Sequence, residues 1–185
     1  MTSKTLTFKL AFPPHQAQHW ISCWEASKYP PLESDALQAG CQLAQGQCTS
    51  DLVDAVIKWK SARSRGYVGK NDLSLMREAF NVARELSFPK LAIGLLTSLH
   101  GFRVPVSSAF LTAMDPRRYT VIDWRALQAL SCSLKSYEHA DAYTPYRDEC
   151  IRLVDVLGLK CLRDVDHALW GWSVGHEKAK DNGQL

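Results

Sequence analysis

Apolar residues recur along this chain at spacings of three and four rather than two, and that period predicts helices throughout. In "DLSLMREAFNVAREL" the apolar Leu73, Met76, Phe80 and Ala83 share one face of a helix that Asn71 can cap. Upstream, after a short extended "KTLTFKLAF", Pro13 and Pro14 lead into a helix near 15 to 27. "KYPPLES" then turns into a second helix near 33 to 46. Ser50 or Asp51 can cap "DLVDAVIKWKSAR", which Gly66 and Gly69 end. "SFPKLAIGLLTSL" starts with Pro89 in the tolerated first turn and stops at Gly101, and Pro105 starts "VPVSSAFLTAM". Beyond the loop at Pro116, Asp123 can cap "WRALQALSCSL", and two further helices fall near 141 to 157 and 161 to 175. No stretch alternates with period two for long enough to build a sheet. The expected fold is all-α, one compact unit over residues 1 to 185.

Composition changes this picture little, but charge placement changes it more. Hydrophobic residues make up 46% of 185 positions, enough to core one globular domain. No apolar run approaches the roughly 20 residues that a membrane crossing needs, and "MTSKTLTFKL" lacks a signal-peptide core, so an intracellular, cytoplasmic protein with no membrane partner is expected. Six cysteines without a CxxC pair argue for reduced thiols and against a zinc ribbon or iron-sulfur loop. His15, His19 and Cys23 would share one helix face, but Gln16 stands where a zincin has its glutamate; packing or capping is the favoured reading, and no metal is expected. Net charge is only +3, yet "KWKSARSRGYVGK" carries five bases (Lys58, Lys60, Arg63, Arg65, Lys70) and no acid, while residues 138 to 166 carry seven acids against four bases. A basic stretch interleaved with Trp59 and Tyr67 suits a phosphate backbone with a stacked base, set against the plainer reading of a solvated helix end.

The stretch "LHGFRVPVSSAFLTAMDPRRYTVIDWRAL" asks for a chemical explanation. A helix broken at Gly101 and restarted at Pro105 exposes backbone N–H groups that, with the helix dipole, suit a phosphate oxygen. Such a grip involves Gly101, Arg103, Val104, Val106 and Ser107 and reads no base sequence. Asp123 is a good N-cap by itself. A carboxylate at a helix N-terminus also stays ionised at neutral pH, as a group stabilising a sugar cation must.

From Leu99 to Leu127 the chain resembles the helix-hairpin-helix and following Asp loop of the DNA glycosylase superfamily that includes endonuclease III, 8-oxoguanine glycosylase and 3-methyladenine glycosylase. "LHGFRVPVSSA" matches the hairpin at Leu99, Gly101 and Phe102, and "DPRRYTVID" ends on the residue equivalent to the catalytic acid, Asp123. The motif and catalytic loop span residues 89 to 127. Arg103 replaces the hairpin's second glycine, and the cysteine cluster of some members is missing.

The resemblance implies a DNA glycosylase that flips out a damaged or modified base from double-stranded DNA, hydrolyses its N-glycosidic bond and leaves an abasic site. It implies a monomer without a cofactor. The position of the Schiff-base lysine in bifunctional members is Pro105, which implies a monofunctional enzyme; were an amine to act, Lys60 and Lys135 are the ones to consider. By analogy the wedge falls on Lys60, Ser61, Ala62 and Arg63, with Arg65 beside them as a DNA contact. Trp20, Trp24, Trp59, Tyr67 and Trp124 are candidates for stacking on the flipped base, although most tryptophans of small helical domains are core. Arg163, Asp166, His167 and Trp170 read first as packing, with a pocket role as the alternative. The substrate stays open between a repair lesion and an enzymatically hypermodified base of phage DNA. The rival reading is a non-catalytic DNA-binding or scaffold module in which Asp123 is only a cap.

Overall fold

The computed structural model describes residues 6–132 and 139–181, and these are helical with no strand among them. The helices are α1 (Ala17–Glu25), α2 (Tyr29–Ala44), α3 (Ser50–Ser61), the single turn α4 (Arg65–Val68), α5 (Leu73–Glu85), α6 (Pro89–Leu96), α7 (Val104–Met114), α8 (Trp124–Ala129), α9 (Tyr143–Val156) and α10 (Leu162–Asp181). None is long and apolar enough to cross a membrane.

Local capping chemistry shifts several predicted boundaries by a residue or more. Thr49 rather than Ser50 or Asp51 caps α3, its hydroxyl accepting from Leu52 N at 3.4 Å. Asp72 rather than Asn71 caps α5 through Ser74 N and Leu75 N. Tyr29 starts α2, four residues earlier than predicted, because Pro30 and Pro31 sit in the first turn, where no N–H is needed. α3 stops at Ser61, and a 3-10 turn over Ala62–Ser64 leads into α4, so Gly66 lies inside a helical turn and only Gly69 ends one.

The most deeply buried helix is α7, every one of whose residues except Pro105 is buried. α2 crosses it at a distance only glycine permits, since a Cβ on Gly40 would stand 2.1 Å from the Ala113 carbonyl oxygen. α3 and α6 also pack against α7, and Phe80, Phe102 and Phe110 fill the space between α5, the turn before α7 and α7 itself. On the other side α10 runs along α1 and α8. The extended N-terminal segment is tied to the end of α8 by Lys9 N donating to the Leu130 carbonyl and Ala11 N to that of Ala129, both at 2.8 Å.

Between α7 and α8 runs a buried non-helical segment, residues 119–122, with no strand beside it. Four of its backbone groups are met by side chains. Ile122 N donates to Ser108 Oγ at 3.2 Å, and Tyr143 Oη accepts from Thr120 N at 3.2 Å while donating to the Thr120 carbonyl at 3.0 Å. Tyr146 Oη donates to the Val121 carbonyl at 2.8 Å. Removing that last hydroxyl strands a buried carbonyl, which costs about 1–3 kcal/mol. Tyr146→Phe is expected to lower unfolding free energy by that amount in a denaturant titration without changing the helical circular dichroism of the folded state.

Candidate functional site

The buried segment ends on Asp123, the N-cap of α8, in a cleft of about 1420 Å³. The two oxygens of the Asp123 carboxylate have different partners. Oδ1 accepts from Ala126 N at 3.0 Å, and Oδ2 lies 2.8 Å from Lys60 Nζ at the end of α3. These side chains are 23% and 12% exposed, so the pair is shielded yet open to the cleft. Burial works against ionisation of Asp123, but the Lys60 charge, its hydrogen bond and the N–H groups of Ala126 and Arg125 outweigh it and leave the carboxyl below the usual range.

A second charged group forms another wall. Glu33 of α2 is buried against α10, where it meets Arg163 in a two-pronged contact and His167 Nε2 at 2.8 Å. Arg163 also donates to Asp166 at 2.6 Å. Burial opposes the charge on Glu33, yet the His167 hydrogen bond and the Arg163 charge hold its carboxyl down at about 2, from an ordinary 4.5. Asp166, by contrast, is pushed up, chiefly by burial and with the nearby Asp123 charge adding to it.

Aromatic rings line the space between. The ring of Trp59 is covered by Arg163, whose guanidinium carbon lies 5.3 Å from the ring centre, and Tyr29 meets Trp170 edge-on at 4.9 Å. Trp24 stacks on His167 at 3.5 Å between centres, and Arg125 lies over Trp124 at 4.2 Å while bonding to Glu177. Trp24, Trp59, Tyr67 and Trp124, expected from the sequence, all face the cleft, whereas Trp20 does not. It packs on Phe12 and against α10, where a Cβ on Gly171 would stand 2.0 Å from the Trp20 carbonyl oxygen. Its contacts are therefore with α10 and Phe12 rather than with the cleft.

Lys60, Ser61 and Arg63 also border the cleft, but Arg65 turns away to pair with Asp54, which takes Lys58 as well at 3.0 Å. The basic stretch is therefore partly neutralised by an acid one helical turn upstream. In the turn between α6 and α7, Gly101 adopts φ +77°, and a Cβ there would stand 2.8 Å from Tyr67 Cβ. Asn71 locks this turn, donating to the carbonyls of Val68 and His100 and accepting from His100 N. Arg103 is exposed at the start of α7, and Val104 and Val106 lie in its first turn, whose N–H groups have no carbonyl behind them. Ser107 drops out of the phosphate set, because its side chain is fully buried and its N–H is spent on the Arg103 carbonyl at 2.9 Å.

Glu33 and Tyr29 carried no sequence signal. An acid and a ring at the start of a helix look solvated, and only the contact across to α10 gives them away. His15, His19 and Cys23 do not gather into a site; Cys23 Sγ lies 3.8 Å from His19 Nε2, and among the described residues no three His, Cys, Asp or Glu side chains could hold a metal. Lys135 lies outside the described residues.

Two stability measurements test these assignments. The low Glu33 value means that its contribution is complete above pH 4.5, where the unfolded carboxyl is ionised too, and is lost as pH falls from there through about 2. Wild type is expected to exceed Glu33→Gln by about 3 kcal/mol at pH 7, with the gap closing towards pH 2 in urea titrations. Asp123→Ala removes a cap worth about 1 kcal/mol and leaves the Lys60 charge unmatched. It should melt below Asp123→Asn, which retains the cap, and adding Lys60→Met to Asp123→Ala should restore part of the loss.

No protein-family model, curated protein or solved structure matches this chain.

Proposed function

We propose that this protein is a DNA N-glycosylase that extrudes a damaged or modified base from duplex DNA into the cleft and hydrolyses its bond to the sugar. The observation that carries the reading is the ionised Asp123 carboxylate, fixed at the N-terminus of α8 on the floor of an aromatic-walled cleft. A base cannot be reached inside the stack, so it must be flipped at a cost of a few kcal/mol, and the rings of Trp24, Trp124 and Trp170 at the cleft offer stacking surface that offsets it, whereas Trp59 is buried beneath Arg163. The turn at Gly101 and the first turn of α7 supply N–H groups for a phosphate, with Arg103 exposed beside them, in the manner of a helix-hairpin-helix.

As the base departs, positive charge grows on C1′, and Asp123 stabilises it and orients the attacking water. An unopposed carboxylate about 4 Å away contributes about 4 kcal/mol at an effective dielectric of about 20, nearly a thousandfold in rate. The released base can be a repair lesion or a larger modified base. A second reading, a DNA-binding module without chemistry, is favoured by one observation: both Asp123 oxygens already have protein partners.

The two readings part on Asp123→Asn assayed against duplexes carrying alkylated, oxidised and phage-modified bases, with mass spectrometry of the released base. The glycosylase loses base release about a hundredfold or more while DNA affinity is kept. Undiminished release from the variant removes Asp123 from the catalytic role, and no release by wild type from any duplex overturns the glycosylase in favour of the binding module.

A further inference from the structure

At rest Asp123 has no oxygen to spare. Oδ1 is spent on capping α8, and Oδ2 lies 2.8 Å from the Lys60 ammonium, whose charge opposes a sugar cation nearly as strongly as the carboxylate attracts it. Two features set this lysine apart from its basic neighbours. Lys58 and Arg65 are held by Asp54, which does not border the cleft, whereas the partner of Lys60 is the cleft's own carboxylate. The pair is also unsealed, both of its members lining the cleft together with Ser61, Arg63 and Ser64. Those three belong to the end of α3 and the 3-10 turn beyond it, so the flexible four-carbon stem of Lys60 stands next to a polar, basic turn.

Resting on the glycosylase reading, we propose that Lys60 is a latch operated by DNA phosphate: at rest it neutralises Asp123, and a backbone phosphate seated at the turn after α3 draws the ammonium off and leaves the carboxylate unopposed. The exchange trades one anion for another around a mobile ammonium, and release of the counter-ions condensed on DNA favours the phosphate. Asp123 does not follow the lysine, because Oδ1 stays bonded to Ala126 N at 3.0 Å. The N–H groups of Ala126 and Arg125 continue to favour its charge. No proton passes between the two side chains, and both keep their charge throughout. Oδ2, relieved of Nζ, then faces the sugar cation and accepts a hydrogen bond from the attacking water. The consequence is selectivity for the polymer. A free nucleoside carries no phosphate and meets a neutralised carboxylate, whereas a nucleotide flipped from a strand arrives with the anion that opens the latch.

The test uses the full chain and a duplex carrying a tetrahydrofuran abasic analogue, so no base need be excised. Lys60→Gln keeps a hydrogen-bond donor for Asp123 and removes the charge, whereas Lys60→Arg keeps both; circular dichroism checks that each variant is folded. A lysine that moves to phosphate predicts that Lys60→Gln weakens binding about tenfold at about 0.1 M salt and lowers the slope of log Kd against log salt by about one, with Lys60→Arg matching wild type. A lysine that stays on Asp123 releases no counter-ion, and an unchanged slope overturns the proposal. Base release is the second readout, on any duplex that wild type processes. The Lys60→Gln deficit should be about tenfold at limiting duplex and vanish at saturation, because it is a deficit of affinity. Release about a hundredfold faster than wild type at saturation would mean that Lys60 opposes the sugar cation in the complex, and a deficit persisting at saturation would place it in bond cleavage; either overturns the latch. Binding by wild type without release from any duplex removes the glycosylase, and the salt slope then still decides whether Lys60 leaves Asp123 for phosphate.

Discussion

The cleft depends on how four residues of non-helical backbone, 119–122, are kept dry without a sheet. Buried N–H and C=O groups demand partners, and four of them find theirs in Ser108 on α7 and in Tyr143 and Tyr146 on α9. The same three side chains therefore align α7, α9 and the start of α8. Ser108 is itself anchored, donating to the Pro105 carbonyl at 2.9 Å, so the register of Asp123 is tied to the first turn of α7. Arg118 and Arg147 extend the scaffold: Arg118 donates to the carbonyls of Arg84 and Leu86 at the end of α5, and Arg147 donates to that of Arg118. A carboxylate placed this way has little freedom to wander.

The charges around it are arranged in alternation. Lys60 separates the basic end of α3 from Asp123, and Arg163 stands between Glu33 and Asp166. Such partly buried pairs contribute little net stability compared with apolar side chains of similar shape, because desolvation offsets most of the attraction. Their presence in one cleft is more readily understood as preorganised polarity than as a contribution to folding.

Much of the fold was legible in the sequence because it rests on local rules. The 3.6-residue period marked α5, and proline and glycine punctuation bracketed α6 and α7. Asp123 was legible as a cap for the same reason. What escaped were long-range pairings. Asp54 lies just outside the basic stretch, and nothing in its neighbourhood announces that it draws in Arg65. Glu33 and Arg163 are 130 residues apart, and a buried ion pair at that separation leaves no periodic trace. Lys60 read as a wedge residue by analogy with the turn after an early helix in the family the chain resembles; its partner Asp123 lies 63 residues away. Trp20 illustrates the converse, an aromatic grouped with the cleft residues by sequence but placed by long-range packing against Phe12 and α10.

Asn71 has a wider meaning than a missed cap. By holding Val68 at the end of α4 and His100 before Gly101 with one amide, it fuses the strip that follows α3 to the turn that precedes α7. Two borders of the cleft are thus joined through one side chain, and the spacing between them hangs on a single point of attachment.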